Sequence, residues 1–387
     1  MKIDYKSKAV AIRNENNKKN SFLFPTNYSV GSNLSESLLL KACRQSFLSF
    51  WTIPNPSYQI GNEMCDAFIN YDNNFILFSD KATQKDDSSN KELYWSRFTK
   101  HIKKSEGQLL GAFNTIQNNA PIYFDSKCTE LIQLDLSNPN VFLINVYRIE
   151  NDEYKKNNPR LINKKIEKGD NTNPYCFANY LNTKKNIFIH SIIGQDLDLI
   201  FNKFTTTIDL IEYLKYREEF FLALNKETII TELEIIKEFE NSNHITIPTT
   251  DSYFIDYLIE DFIRSSFVAD IAEENTSQNK SILNCLSKLS RYDRNELAKK
   301  IFNTEYSIND YIFTYKKEEA HYLLGFFNLG KLDLNQEEDN LKFFINIEEA
   351  FINYINKHDL KGYIIGWGNI HVIQRDLCQF LAEYKNL

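Results

Sequence analysis

Apolar positions recur every three to four residues from Ser35 to Trp51 (SESLLLKACRQSFLSFW), with Leu39, Ala42, Cys43, Phe47 and Phe50 on one face and Ser35 placed as a cap. This spacing predicts a helix, ended by the prolines of TIPNPSY (Thr52–Tyr58). The pattern then shortens. MCDAFINY and FILFSDKA lie either side of DNN, which predicts two strands joined by a tight turn. Helical spacing returns over Lys91–Gln117, with Trp95, Phe98, Ile102, Leu109 and Phe113 on the apolar face. PIYFD, VFLINVYRI and NIFIHSII predict further strands, and KAVAI an early one near the N-terminus. Residues 150–174 are polar and charged and predict an exposed insertion or a long hairpin rather than a domain boundary. Beyond Ile193 the pattern is mostly helical as far as Leu387. The whole predicts an α/β fold, with a mixed sheet flanked by helices over residues 1–230 and a mainly helical C-terminal domain over residues 231–387.

Composition narrows the class. A chain of 387 residues, 42% hydrophobic and 25% charged, is globular and long enough for two domains. The net charge of −7 argues against a non-specific, histone-like nucleic-acid binder, although a basic face can still be local. KHIKK (Lys100–Lys104) is such a local run, and reads equally as a phosphate track or a solvated helix face. The six cysteines include no CxxC, which argues against a disulfide framework or a structural zinc and fits a cytoplasmic protein. The first twenty residues hold no apolar core of signal-peptide length, and no apolar run approaches the ~18 residues of a membrane span. The six histidines have no ligand spacing, and His190 reads as a strand residue. No glycine-rich phosphate loop and no GxSxG is present.

The chemistry lies where the buried run FILFS ends in Asp80 and Lys81. Charged residues are rarely buried unless paired or bound to metal. Cutting a phosphodiester with metal requires carboxylates to hold a hard cation and a cation near the developing charge. Two adjacent strands can supply both, because residues two apart on a strand share a face. Asp66 on the first strand and Lys81 at the end of the second meet that requirement, and a plain salt bridge at a sheet end is the alternative reading.

With the order helix, strand, strand, helix around it, this arrangement resembles the PD-(D/E)XK nuclease superfamily. A looser resemblance runs from SFLSFWTIPNPS through GNEMCDAFINYDNNFILFSDK and QLLGAFNTI to HSIIGQDLDLIFNKFTTTIDLIEYL. It is to bacterial nuclease-like proteins, several of them associated with antiphage defence. It implies a restriction-endonuclease-like fold, Mg²⁺ or Mn²⁺ as cofactor, and nucleic acid, DNA rather than RNA, as partner. It assigns Asp66 as metal ligand and Lys81 as the catalytic cation. The superfamily places an acid two residues before the lysine, where this chain has Ser79. Three acids could complete the metal site: Asp80 if a bulge turns it inward, Glu63, or Glu36 in the first helix. Gln108 matches a helix glutamine found near the site in some members. The other reading is a degenerate subunit that binds nucleic acid or a protein without cutting. The C-terminal helices could carry a protein partner or self-association.

Overall fold

A computed structural model of the chain describes residues 4–18, 36–40, 42–43, 51–83, 91–134, 139–149, 162–167, 176–182, 187–224, 230–243, 248–266, 286–303, 312–317, 320–328, 361–370 and 375–384. The chain divides into two compact units, residues 13–246 and residues 1–12 with 247–387.

In the unit of residues 13–246, the strands are β1 (Thr52–Pro54), β2 (Ser57–Gln59), β3 (Asn62–Glu63), β4 (Ala67–Tyr71), β5 (Asn74–Thr83), β6 (Asn140–Ile149), β7 (Ile162–Glu167), β8 (Cys176–Asn182) and β9 (Ile187–Ile193). Seven of them form one mixed sheet in the order β1-β4-β5-β6-β9-β8-β7, and β2 and β3 pair separately. β5, β6 and β9 run parallel, while β1, β4 and β8 join antiparallel. The run FILF of β5 is wholly buried because it lies mid-sheet with both faces covered. Asp72, at φ 53°, turns the chain from β4 into β5.

Helix α2 (Lys91–Gln117) covers one face. Its Leu109, Ala112 and Ile116 pack with Phe68, Phe75 and Leu143 in the main apolar cluster. The helices α3 (Gly194–Lys203), α4 (Thr207–Ala223) and α5 (Glu232–Asn243) follow β9. Phe78, on the strand face opposite Phe75 and Leu77, meets Phe201 of α3 with ring centroids 6.3 Å apart. Thr206 caps α4 by accepting from the Asp209 amide at 3.2 Å. Arg217 of α4 and Glu232 of α5 form a buried two-point ion pair. That pair ties α5 to the first unit, whereas the sequence pattern put a boundary near residue 230.

Three expectations are corrected. KAVAI lies in α1 (Tyr5–Lys18), not a strand. Ala9 and Ile12 are buried three residues apart, and Asp4 caps the first turn by accepting from the Ser7 amide and hydroxyl. PIYFD is not a strand of a ladder: Tyr123 forms isolated bridges to Ser57 and Leu131, the second made by backbone bonds of Ile122 and Phe124. Among the described residues, the C-terminal part is not helical throughout. After α6 (Tyr253–Ser266) and α7 (Arg291–Asn303) come β10 (Ile312–Lys317), β11 (Ala320–Asn328), β12 (Lys361–Ile370) and β13 (Arg375–Tyr384), in one sheet of that order. Asp256 joins α6 to α7 by accepting from both Arg291 and Arg294. Within 150–174, residues 162–167 form β7 of the main sheet, and the rest of the expected insertion lies outside the described residues.

Candidate active site

The β4–β5 ladder brings Asp66 and Lys81 together. It pairs Ala67 with Phe78, and the Asp66 amide extends it by donating to the Phe78 carbonyl at 2.9 Å. Asp66 therefore stands beside the end of β5, two residues before the core residue Phe68. One carboxylate oxygen, Oδ2, accepts from the backbone amide of Asp80 and from Lys81 Nζ at 3.3 Å. The Asp66 side chain is 6% exposed and that of Lys81 19%. Burial pushes the Asp66 carboxyl above the usual carboxylate range, against the pull of Lys81 and the Asp80 N–H, and the charge of Glu36 adds to the rise.

Glu63 ends β3, paired with Ser57. Much of its side chain meets solvent, yet burial of its carboxyl, with Asp66 and Glu36 adding, raises it to about 7. Glu36 lies on the helical residues 36–40, half-buried. Three carboxylates thus repel one another around one lysine. Oxygen donors of this kind suit Mg²⁺ or Mn²⁺, so the donor set fits in chemistry. Among the described residues, no three His, Cys, Asp or Glu side chains are already gathered as a metal-holding group.

Asp80 does not join this group through its carboxylate. β5 pairs with β6 from Asn74 to Thr83 without a register shift, so the bulge that would turn it inward is absent. Alternation puts its side chain on the face away from Ser79 and Lys81, where it is buried. Its contribution to Asp66 is its N–H.

Ser79 and Gln108 do meet. Ser79 Oγ, fully buried, donates to Gln108 Oε1 at 3.0 Å. The neighbouring pair is similar: Asn145 of β6 lies in register with Ser79 and accepts from Ser105, one turn before Gln108 on α2. Helix α2 is thus tied to two adjacent strands beside the acid–lysine pair. Sequence reasoning missed Asn145, Ser105 and Asn55. Asn55 lies between two prolines at φ 45°, and its amide nitrogen, turned inward, reaches Glu63 Oε1 at 3.2 Å and the Asp66 carbonyl at 2.7 Å. An asparagine between prolines is the one local signal that marked it, since Asn tolerates the left-handed region. His190 lies on β9 as expected and is buried; its Nδ1 lies 3.1 Å from Arg217, and burial and that charge push its pKa well down.

The raised Glu63 carboxyl has a measurable consequence. In the fold it gains its proton at about 7 against an ordinary 4.5. Between those values the folded chain holds more protons than the unfolded one, so Glu63 lowers stability progressively as pH rises through that window. Glu63→Gln is expected to raise the melting temperature at about pH 8 and to make no difference near pH 4. A melt series in both proteins checks this; a variant that melts lower at the higher pH would show the carboxylate to be favourably paired instead.

No protein-family model, no curated protein and no solved structure matches the chain. Among the described residues, no helix is long and apolar enough to cross a membrane.

Proposed function

We propose that the chain is a metal-dependent nuclease that hydrolyses DNA phosphodiester bonds, on a PD-(D/E)XK, restriction-endonuclease-like core, with a role in defence against phage. The observation that carries this reading is the 3.3 Å contact between buried Asp66, just before β4, and Lys81 of the adjacent β5, with Glu63 and Glu36 close enough to act on the Asp66 charge. Asp66, Glu63 and Glu36 would hold the metal. When bound, Mg²⁺ or Mn²⁺ polarises the phosphate and makes hydroxide available from water. The chain's own groups do the rest. The Asp80 N–H and Lys81 fix the Asp66 carboxylate. Lys81, one-fifth exposed, sets its ammonium where charge develops on the phosphate. Ser79 accounts for one Gln108 oxygen and leaves the Gln108 amide N–H groups to orient a phosphate oxygen or water.

Ser79 also supports a second reading. A neutral serine held by Gln108 stands where the superfamily has an acid, as in a degenerate subunit that binds DNA or a protein without cutting. Incubating the purified chain with plasmid, linear DNA and RNA, with Mg²⁺, Mn²⁺ or EDTA, separates the two. The nuclease reading expects DNA cutting that EDTA abolishes. Silence on every substrate with either metal would leave the second.

A further inference from the structure

Helix α2 buries Ser105, Leu109, Ala112 and Ile116 against the sheet. At 3.6 residues per turn the opposite stripe is Lys100, Lys103, Lys104, Gly107 and Gly111, and all five are exposed. Lys100, Lys104 and Gln108 follow one another at intervals of four, so the basic end of the stripe runs along about 12 Å of helix to the glutamine bound to Ser79. Among the described residues, none of the three lysines forms an ion pair within 4 Å. The Glu106 carboxyl, which feels the charge of Lys103, is half-buried and is raised to about 7 by its burial. This is a positive ridge on a chain of net charge −7.

The glycines lie on the same ridge, and neither is required by the fold. A Cβ at Gly107 or Gly111 would meet nothing within 4 Å, and neither residue has a left-handed φ. In a helix interior glycine is the least favourable residue short of proline, so alanine at both positions would make a better helix. What glycine supplies there is room for something outside the chain to come close.

We propose that this ridge is the track of a DNA strand: Lys100, Lys103 and Lys104 neutralise successive phosphates, and Gly107 and Gly111 leave the space in which the backbone passes beside Gln108. The proposal rests on the nuclease reading and adds where its substrate lies. Charge complementarity selects the occupant, since the lysines match a phosphate chain and a side-chain-free strip admits a backbone.

The test is binding of a fluorescein-labelled DNA oligonucleotide, followed by anisotropy over a salt series in EDTA, to the full chain carrying Lys81→Ala. Adding Lys100→Gln or Lys104→Gln is expected to weaken binding alike for all sequences and to lower the slope of log K against log salt by about 1 each. Adding Gly107→Leu or Gly111→Leu is expected to raise the melting temperature while weakening binding about tenfold or more, a combination a merely structural role would not give. Binding unchanged in all four variants would overturn the track and leave the nuclease reading standing. Tighter binding of RNA than DNA would overturn the occupant. A chain that neither binds nor cuts DNA would overturn both readings.

Discussion

Lys81→Ala is expected to remove DNA hydrolysis while the fold survives. The lysine is partly exposed and its removal opens no core cavity, so circular dichroism should stay close to the parent's, with a drop in melting temperature at neutral pH because the buried Asp66 carboxylate loses its cation. The site changes more. Asp66 loses the cation that draws its carboxyl down, so its already raised affinity for a proton rises further, and the ionised form is held by the Asp80 N–H alone among the contacts described at its Oδ2. The charge proposed to face the phosphate also goes. Losing one such group costs roughly 10²–10³ in rate in well-studied enzymes. Asp66→Asn should cost at least as much, because it removes the proposed metal ligand and leaves Lys81 without its anchor. Lys81→Arg keeps the charge but is a planar fork rather than a compact ammonium, so only partial activity is expected. Plasmid cleavage in Mg²⁺ or Mn²⁺, measured beside thermal melts, decides the matter. Full activity in Lys81→Ala would place the chemistry elsewhere.

The largest change in stability is expected at Arg217, behind the sheet. Arg217 and Glu232 are 0% and 1% exposed. Arg217 donates through Nε to Glu232 Oε1 at 2.8 Å and through Nη2 to Oε2 at 2.9 Å, and Nη2 also reaches the Ser191 carbonyl at 3.2 Å. Tyr213 donates to the same carboxylate. Arg217→Met leaves Glu232 buried with its counter-charge removed, a loss of about 3–5 kcal/mol for a pair of this kind. Arg217→Met combined with Glu232→Leu removes both charges and should recover much of the loss, because a buried ion pair is often no better than an apolar one of similar volume. Urea unfolding of the parent, both single variants and the double gives the coupling directly. A double variant as unstable as Arg217→Met would show that packing and the Ser191 and Tyr213 contacts matter more than charge.

The core of this fold was legible where the pattern was long or local. The helical spacing over Lys91–Gln117 marked the 27 residues of α2, whose Leu109, Ala112 and Ile116 are buried. FINY and FILF, two short runs either side of DNN, fitted a hairpin because the turn signal stood between them, and face logic then put Asp66 with Lys81. KAVAI and PIYFD failed because five residues do not distinguish a strand from a helix or a loop. The C-terminal sheet failed for a related reason: IFTYKK, AHYLLGFFN and KGYIIGWGNI are apolar runs short enough to pass as helix stripes. Gly362, Gly366 and Gly368 in the last of these were the available warning, since three glycines in ten residues disfavour a helix. Asn145 and Asn55 carry no pattern of their own. Each matters through a partner brought close only by folding, Ser105 across forty residues and Glu63 across a turn.

The amide of Asp80 donates to Asp66, and that donor belongs to the main chain. Every residue except proline carries it. A survey that replaces side chains one by one would therefore pass over position 80 without disturbing the bond, and would credit all the control of Asp66 to Lys81. Half of the grip on the central acid is written in the peptide backbone, where changes of side chain alone do not erase it.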